Sequence, residues 1–194
     1  DSSTDQINFY DDVGSKNPVF LFFPGWLEDR TFWTPVVDLL LKNNRCISLD
    51  LMQSAMEETG FKLHLKALAQ SVVGFIDNLN IKPVILVGHD LGAILTLLVN
   101  EQCPDNVLGL VLVDPPLDGA TNGAMGLLSK EITTTNSLEI AQPLLNRWFV
   151  ESTSLEVREK VKTMLSSGEP KVAAEQFSEA EFLKDDMGRL LVKA

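Results

Sequence analysis

Val84-Ile85-Leu86-Val87-Gly88-His89-Asp90-Leu91-Gly92-Ala93 joins a short apolar run to two glycines four positions apart and the start of an apolar helix. Four apolar residues, Val84 to Val87, make a short strand expected to be buried on both faces. Gly88 and Gly92 bracket a sharp turn, and Ala93–Val99 opens an apolar helix. The turn brings strand and helix backbones together, so a Cβ at either glycine is expected to clash. Asp90, between them, is expected at positive φ with its side chain above the end of the sheet.

Strand, Gly-x-Asp-x-Gly and helix in this order form a nucleophile elbow, whose common form carries Ser where this chain has Asp90. On these residues the chain resembles the α/β-hydrolase superfamily over nearly all its length. The Asp at the elbow is similar to the haloalkane dehalogenase, fluoroacetate dehalogenase and epoxide hydrolase branches. The resemblance implies an α/β fold, a parallel sheet flanked by helices with an inserted helical cap, whose C-terminal part is missing here. It divides the chain into a core, 1–116, and a cap, 117–194.

The order of elements agrees. Gln6–Tyr10 is expected as a first edge strand, ended by Asp11-Asp12-Val13-Gly14-Ser15. Pro18–Phe23 and Arg45–Leu49 read as buried strands. Between them Trp33, Val36, Val37, Leu40 and Leu41 recur at helical spacing. After a polar loop over Asp50–Gly60, the residues Leu65, Leu68, Val72, Phe75, Ile76 and Leu79 mark an amphipathic helix. Val107–Val113 reads as a further strand buried on both faces. Alternation of strands and helices predicts a parallel sheet, with functional residues at the carboxyl ends of its strands. Trp26, Asp50, Asp90 and Asp114 all fall there.

Beyond Leu117 no strand is expected. Gly119–Ala124 reads as a loop. One helical face follows in Leu138, Ala141, Leu144, Leu145, Trp148 and Phe149. A Thr153-x-x-Glu156 capping box starts a second helix, with Val157, Val161, Met164 and Leu165 inward. Glu169–Lys184 forms a third, with Val172, Ala173 and Phe177 inward.

Composition narrows the partners. A chain of 194 residues with 45% hydrophobic and 22% charged residues suits one globular domain. A net charge of −11 argues against nucleic-acid or membrane-surface partners, which select basic patches. Cys46 and Cys103 lack metal-ligand spacing and read as reduced structural thiols. The polar N-terminus is unlike a signal peptide and no apolar run spans a bilayer, so the expected location is cytoplasmic. The expected partner is a small-molecule substrate, and no cofactor is expected.

The resemblance assigns roles residue by residue. Asp90 would attack an sp³ carbon and form an ester on the enzyme. The helix N-terminus beneath it is expected to keep it ionised at neutral pH. Backbone N–H groups of Leu91 and Trp26 would form the oxyanion hole. Pro24 stands where the family usually has His. Asp114 stands where some dehalogenases carry the triad acid, or it caps the Pro115-Pro116 turn. Trp26 and Trp148 would donate indole N–H groups to a leaving halide, or are ordinary core aromatics. Asp50 reads as structural. The only Tyr is Tyr10, so the cap tyrosines of epoxide hydrolases have no counterpart.

Ester hydrolysis needs a base, nearly always His. The two histidines are His64 and His89, and neither follows Asp90. His89 reads as a packed structural residue, and His64 as a solvent-exposed helix residue or a displaced base. The strand at 107–113 also needs a cover for its outer edge, either further chain carrying the missing His or a partner. Three functions stay open: a hydrolase with an Asp nucleophile, a catalytically inactive ligand- or protein-binding relative, and a cofactor-free dioxygenase or lyase on the same fold.

Overall fold

The computed structural model describes residues 7, 9–50, 64–116, 119–135, 139–183 and 187–193. Strands β1 (Tyr10–Val13), β2 (Val19–Phe23), β3 (Arg45–Leu49), β4 (Val84–His89) and β5 (Val107–Val113) form one sheet in the order β1-β3-β2-β4-β5. β2, β3, β4 and β5 run parallel, and β1 is antiparallel to β3.

The strand–helix alternation arises from side chains of opposite parity. Leu21, Phe23, Ile47, Leu49 and Leu86 point to one face. There they meet α2 (Leu65–Asn78) and α3 (Leu91–Gln102), with apolar residues of both helices in the same core. Phe22, Cys46 and Val87 point to the other face and pack with Trp33 and Val37 at the start and middle of α1 (Thr34–Leu40). Because both faces are covered, β2 carries no polar side chain. α3 is buried from Leu91 through Asn100. It touches β2, β4 and β5, which makes it the structural centre of the molecule.

The first strand begins later than the Gln6–Tyr10 reading placed it. Asp11 and Asp12 lie inside β1 rather than after it. Their carboxylates reach Arg30 at 3.1 Å and Arg45 at 2.6 Å, so acidic residues here supply edge-strand cross-links. β5 also departs from its reading. It is the edge strand its reading requires, but Leu108, Val111 and Val113 are 58%, 44% and 39% exposed rather than buried on both faces.

After β5 come α4 (Gly119–Thr135), α5 (Gln142–Asn146), α6 (Leu155–Ser167), α7 (Pro170–Leu183) and α8 (Met187–Lys193). The expected loop at Gly119–Ala124 is the first part of α4. The tertiary packing of α4 on α7 overrides its glycine-rich composition. Ile132 is fully buried there, and Ser129 Oγ donates to the Ala174 carbonyl at 2.7 Å. The N-cap of α6 is Ser154, whose hydroxyl accepts from the Val157 N–H, and not Thr153. Thr153 instead closes a turn, its Oγ1 accepting the Val150 N–H at 3.0 Å. Val157 is about half exposed rather than inward. The loop over 51–60 and Leu138 lie outside the described residues. So do the side chains of Ala141, Leu144, Leu145, Met164, Leu165 and Phe177.

A separate apolar cluster joins the helices to the turn after β2. It contains Trp26, Ile132, Ala173 and Ala174, with Leu27, Leu128, Ile140 and Val161 against it. α8 leaves this cluster and returns to α3, where Leu190 enters the main core and Arg189 bonds Glu101.

Candidate functional site

The site is built on the carboxyl ends of β2 and β4, neighbours in register from Val19↔Val84 to Phe23↔Gly88. Asp90 follows β4 and caps α3 with φ 49° and ψ −117°. An L-residue holds such a conformation only where its surroundings force it, at roughly 1–3 kcal/mol. The surroundings are visible in the two glycines. A Cβ on Gly88 would overlap the Gly92 carbonyl and Thr96 Oγ1, and one on Gly92 would overlap the Phe23 and Pro24 carbonyls. Strand, turn and helix therefore meet only with glycine at both places, as the sequence implies.

The Asp90 side chain is held by backbone donors. Trp26 N–H donates to Asp90 Oδ2 at 3.0 Å. The Leu91 amide at the start of α3 also favours the ionised carboxylate. Burial pushes the Asp90 carboxyl above its ordinary value, and this outweighs the amides of Trp26 and Leu91 and the positive charge of His89.

His89 is part of this cluster rather than an isolated packing residue. Its ring stacks on Phe32 at 4.8 Å between centroids, and Nδ1 lies 2.9 Å from Glu28 Oε2. Burial opposes its charge, yet the Glu28 hydrogen bond and the charges of Glu28, Asp90 and Asp114 together raise its pKa. Glu28 is also the acceptor for Gly25 N–H at 2.7 Å. Nothing in residue spacing singled out Glu28. Its one signal was an acid three residues past the Pro24-Gly25 turn, and its imidazole partner lies 61 positions away.

Trp26 is buried, and its indole Nε1 donates to the Ala173 carbonyl at 3.2 Å. The ring of Trp148 meets it edge-on at 6.2 Å and is about half exposed. The adjacent Leu27 has φ 55°, and its N–H donates to Oε1 of buried Gln176 at 3.1 Å. Gln176 is a second residue that sequence reasoning missed, since a helical glutamine 149 positions away carries no signal.

The remaining candidates are spread around this centre. Asp114 is exposed at the end of β5 with φ 45°, beside the point where Asp90 N–H donates to the Val113 carbonyl at 3.0 Å. Asp50 is buried and joined to Arg30 at 3.2 Å. His64 is exposed at the N-cap of α2. Among the described residues, no cluster of three or more His, Cys, Asp or Glu side chains could hold a metal ion.

Sheet order, elbow and convergent amides together define the hydrolase class of α/β fold. The chain belongs to the α/β hydrolase fold family, whose match spans residues 18–183. A haloalkane dehalogenase of Mesorhizobium japonicum is 28% identical over 110 residues, 54% of this chain and 34% of that protein. A Haemophilus influenzae relative named for esterase and lipase activity is 23% identical over 137 residues, 68% of this chain and 48% of its own. The chain thus spans half or less of the curated relatives it matches. A thermophilic esterase from Thermogutta terrifontis superimposes with a TM-score of 0.74 at 22% identity, covering 89% of this chain and 66% of the esterase. At that identity the likeness concerns the fold.

Proposed function

We propose that this chain carries the nucleophile half of an α/β-hydrolase reaction on a small organic electrophile, with Asp90 as nucleophile. The observation that supports it is Asp90 Oδ2 lying 3.0 Å from the Trp26 amide, with Leu91 N–H as second donor. Oδ2 is held by the Trp26 amide, and Oδ1 is proposed to attack. In the attack, a carboxylate lone pair forms a C–O bond to an sp³ carbon, and the leaving group departs with the electrons of the broken bond. Water adding to the ester carbonyl would place negative charge on the held oxygen, where the two amides meet it. Asp114 is proposed as the acid of the hydrolytic step. Trp148 is proposed to line the substrate space, and the helices following β5 to roof it. Trp26 contributes its amide; its indole hydrogen is engaged by Ala173.

The hydrolytic half is proposed to be slow in this chain. His89 is engaged by Glu28 and His64 is exposed on α2, so neither imidazole is placed as the base. Loss of a general base typically costs about 10²–10⁴ in rate. Incubation with 1-bromobutane or chloroacetate should add one alkyl group to Asp90, seen by intact-protein mass spectrometry and located by fragmentation. Sustained release of bromide or chloride beyond one equivalent would contradict the slow second half. Complete absence of labelling by both electrophiles would contradict the nucleophile.

A second reading is favoured by one observation, the upward shift of the Asp90 carboxyl. A neutral carboxyl donates a hydrogen bond and does not attack. In that reading the protein is an inactive relative that binds a small ligand. The two separate by pH, since labelling by a nucleophilic Asp90 must rise as the carboxyl ionises.

A further inference from the structure

We propose that Glu28 is a positioning residue: it ties the Gly25–Trp26 turn to the elbow through His89, and so sets both the aim of the Trp26 N–H and the charge beside Asp90. The consequence for catalysis rests on Asp90 being the nucleophile.

The turn itself needs a fastener. Glu28 N–H donates to the Gly25 carbonyl at 3.2 Å, closing Gly25–Glu28 into a tight turn with Leu27 at positive φ. A bulky residue there is strained and reverts unless held. The Glu28 carboxylate accepts Gly25 N–H at 2.7 Å, so it binds the first amide of its own turn. The same oxygen, Oε2, is 2.9 Å from His89 Nδ1 on the other strand end. One oxygen atom thus bonds the turn and the elbow together. Trp26, whose amide reaches Asp90, lies between the two pinned ends of that turn. A Cβ on Gly25 would come within 3.0 Å of Glu28 Oε2 and His89 Nδ1 and within 2.9 Å of Asp90 Cβ, so the three groups leave no slack.

The charge arrangement has the same centre. The Glu28 side chain is only 10% exposed, and that of His89 23%. A carboxylate this enclosed needs hydrogen-bonding partners, and Gly25 N–H and His89 Nδ1 are within 2.7 and 2.9 Å of it. The groups acting on His89 are Glu28 from the turn after β2, Asp90 from its own turn and Asp114 from the end of β5. His89 in turn lowers the Asp90 pKa, whereas Glu28 acting alone raises it. Glu28 therefore assists Asp90 only by way of the His89 ring it holds.

The test uses Glu28→Gln, which keeps the shape and an acceptor for Gly25 N–H but removes the charge, together with His89→Gln. Imidazole NMR is uncrowded because the chain has two histidines, and His64→Gln assigns the other. In Glu28→Gln the His89 midpoint should fall, the Trp26 amide resonance should shift, and Asp90 labelling by 1-bromobutane should slow about tenfold. That is less than the roughly 10²–10³ lost with an entire oxyanion donor. The double variant should be no slower than His89→Gln alone, because the two act as one unit. An unchanged His89 midpoint, or effects of the two substitutions that simply multiply, would overturn the proposal. If the wild-type chain is not labelled at all, the nucleophile reading falls. The His89 midpoint and the Trp26 amide then still decide the linkage: both moving supports it, and either staying fixed overturns it.

Discussion

The carboxyl ends of β3 and β4 carry the same residue type in the same surroundings and use it differently. Asp50 follows β3 and Asp90 follows β4. Each has its N–H engaged by a neighbouring strand end, Asp50 by the Phe9 carbonyl at 2.9 Å and Asp90 by Val113 at 3.0 Å. Burial raises the pKa of both carboxyls. The difference is the counter-charge. Arg30 reaches Asp50 directly at 3.2 Å, and its side chain also bonds Asp11. Asp90 receives amide hydrogens and a histidine one residue away, and sits on a strained backbone. A carboxylate joined to a guanidinium is committed to holding strands together. One held by amides retains an oxygen for another bond. Position at the end of a parallel strand is thus shared by Asp50, tied to a guanidinium, and by Asp90, the proposed nucleophile, and the partner distinguishes them.

Four substitutions test this difference. Asp90→Asn should abolish alkyl labelling completely, while Asp50→Asn should leave its rate within about twofold; mass spectrometry over a time course measures both, and the twofold margin is about 0.4 kcal/mol. Loss of labelling in Asp50→Asn would erase the distinction. Gly92→Ala comes next, since its Cβ meets two backbone carbonyls that cannot swing away. It should cost more than about 3 kcal/mol in urea unfolding, among the larger single-site effects. Arg30→Met should cost about 1–3 kcal/mol, because it removes the guanidinium bonded to the buried Asp50 carboxylate. The value lies below that for a fully buried pair because the Arg30 side chain is 35% exposed.

The smallest expected effect concerns sign. The folded state raises the Asp90 pKa, so it binds that proton more tightly than the unfolded chain does. The stability from protonation is present at low pH and is lost as pH rises through the folded value. Asp90→Asn removes the titration, so the variant should be more stable than the wild type at neutral pH, with the difference vanishing in acid. Urea unfolding at several pH values would show it. A less stable Asp90→Asn at neutral pH would mean that the carboxylate, like Asp50, serves the fold.

What the sequence made legible is local. Val84–Gly92 could be read because every requirement, two glycines, a short apolar run and the helix after it, lies within a few residues. Arg45–Leu49 and Leu65–Asn78 were readable by period for the same reason. Glu28 and Gln176 were not, since their functions are bonds to residues 61 and 149 positions away. The start of α4 was misread because packing against α7, rather than local propensity, keeps its glycines helical. The N-cap of α6 was misplaced by one residue because Thr153 and Ser154 both offer hydroxyls, and only the turn at Val150 shows which is taken. The edge position of β5 was legible because no later strand is expected beside it. The exposure of its side chains was not, because its apolar composition matches that of the buried β4.

The buried cysteines bear on chemoselectivity. Cys46 and Cys103 are free thiols in the interior, and burial raises the pKa of each. Thiolate, rather than thiol, is the competing nucleophile for an alkyl halide. The folded chain therefore hides its two thiols, and with Asp90 as the proposed nucleophile the carboxylate is the group expected to take the alkyl group. Unfolding inverts that order, opening both sulfurs to the same reagent. The sites that carry alkyl groups after a single exposure thus form a chemical record of how much of the sample was folded.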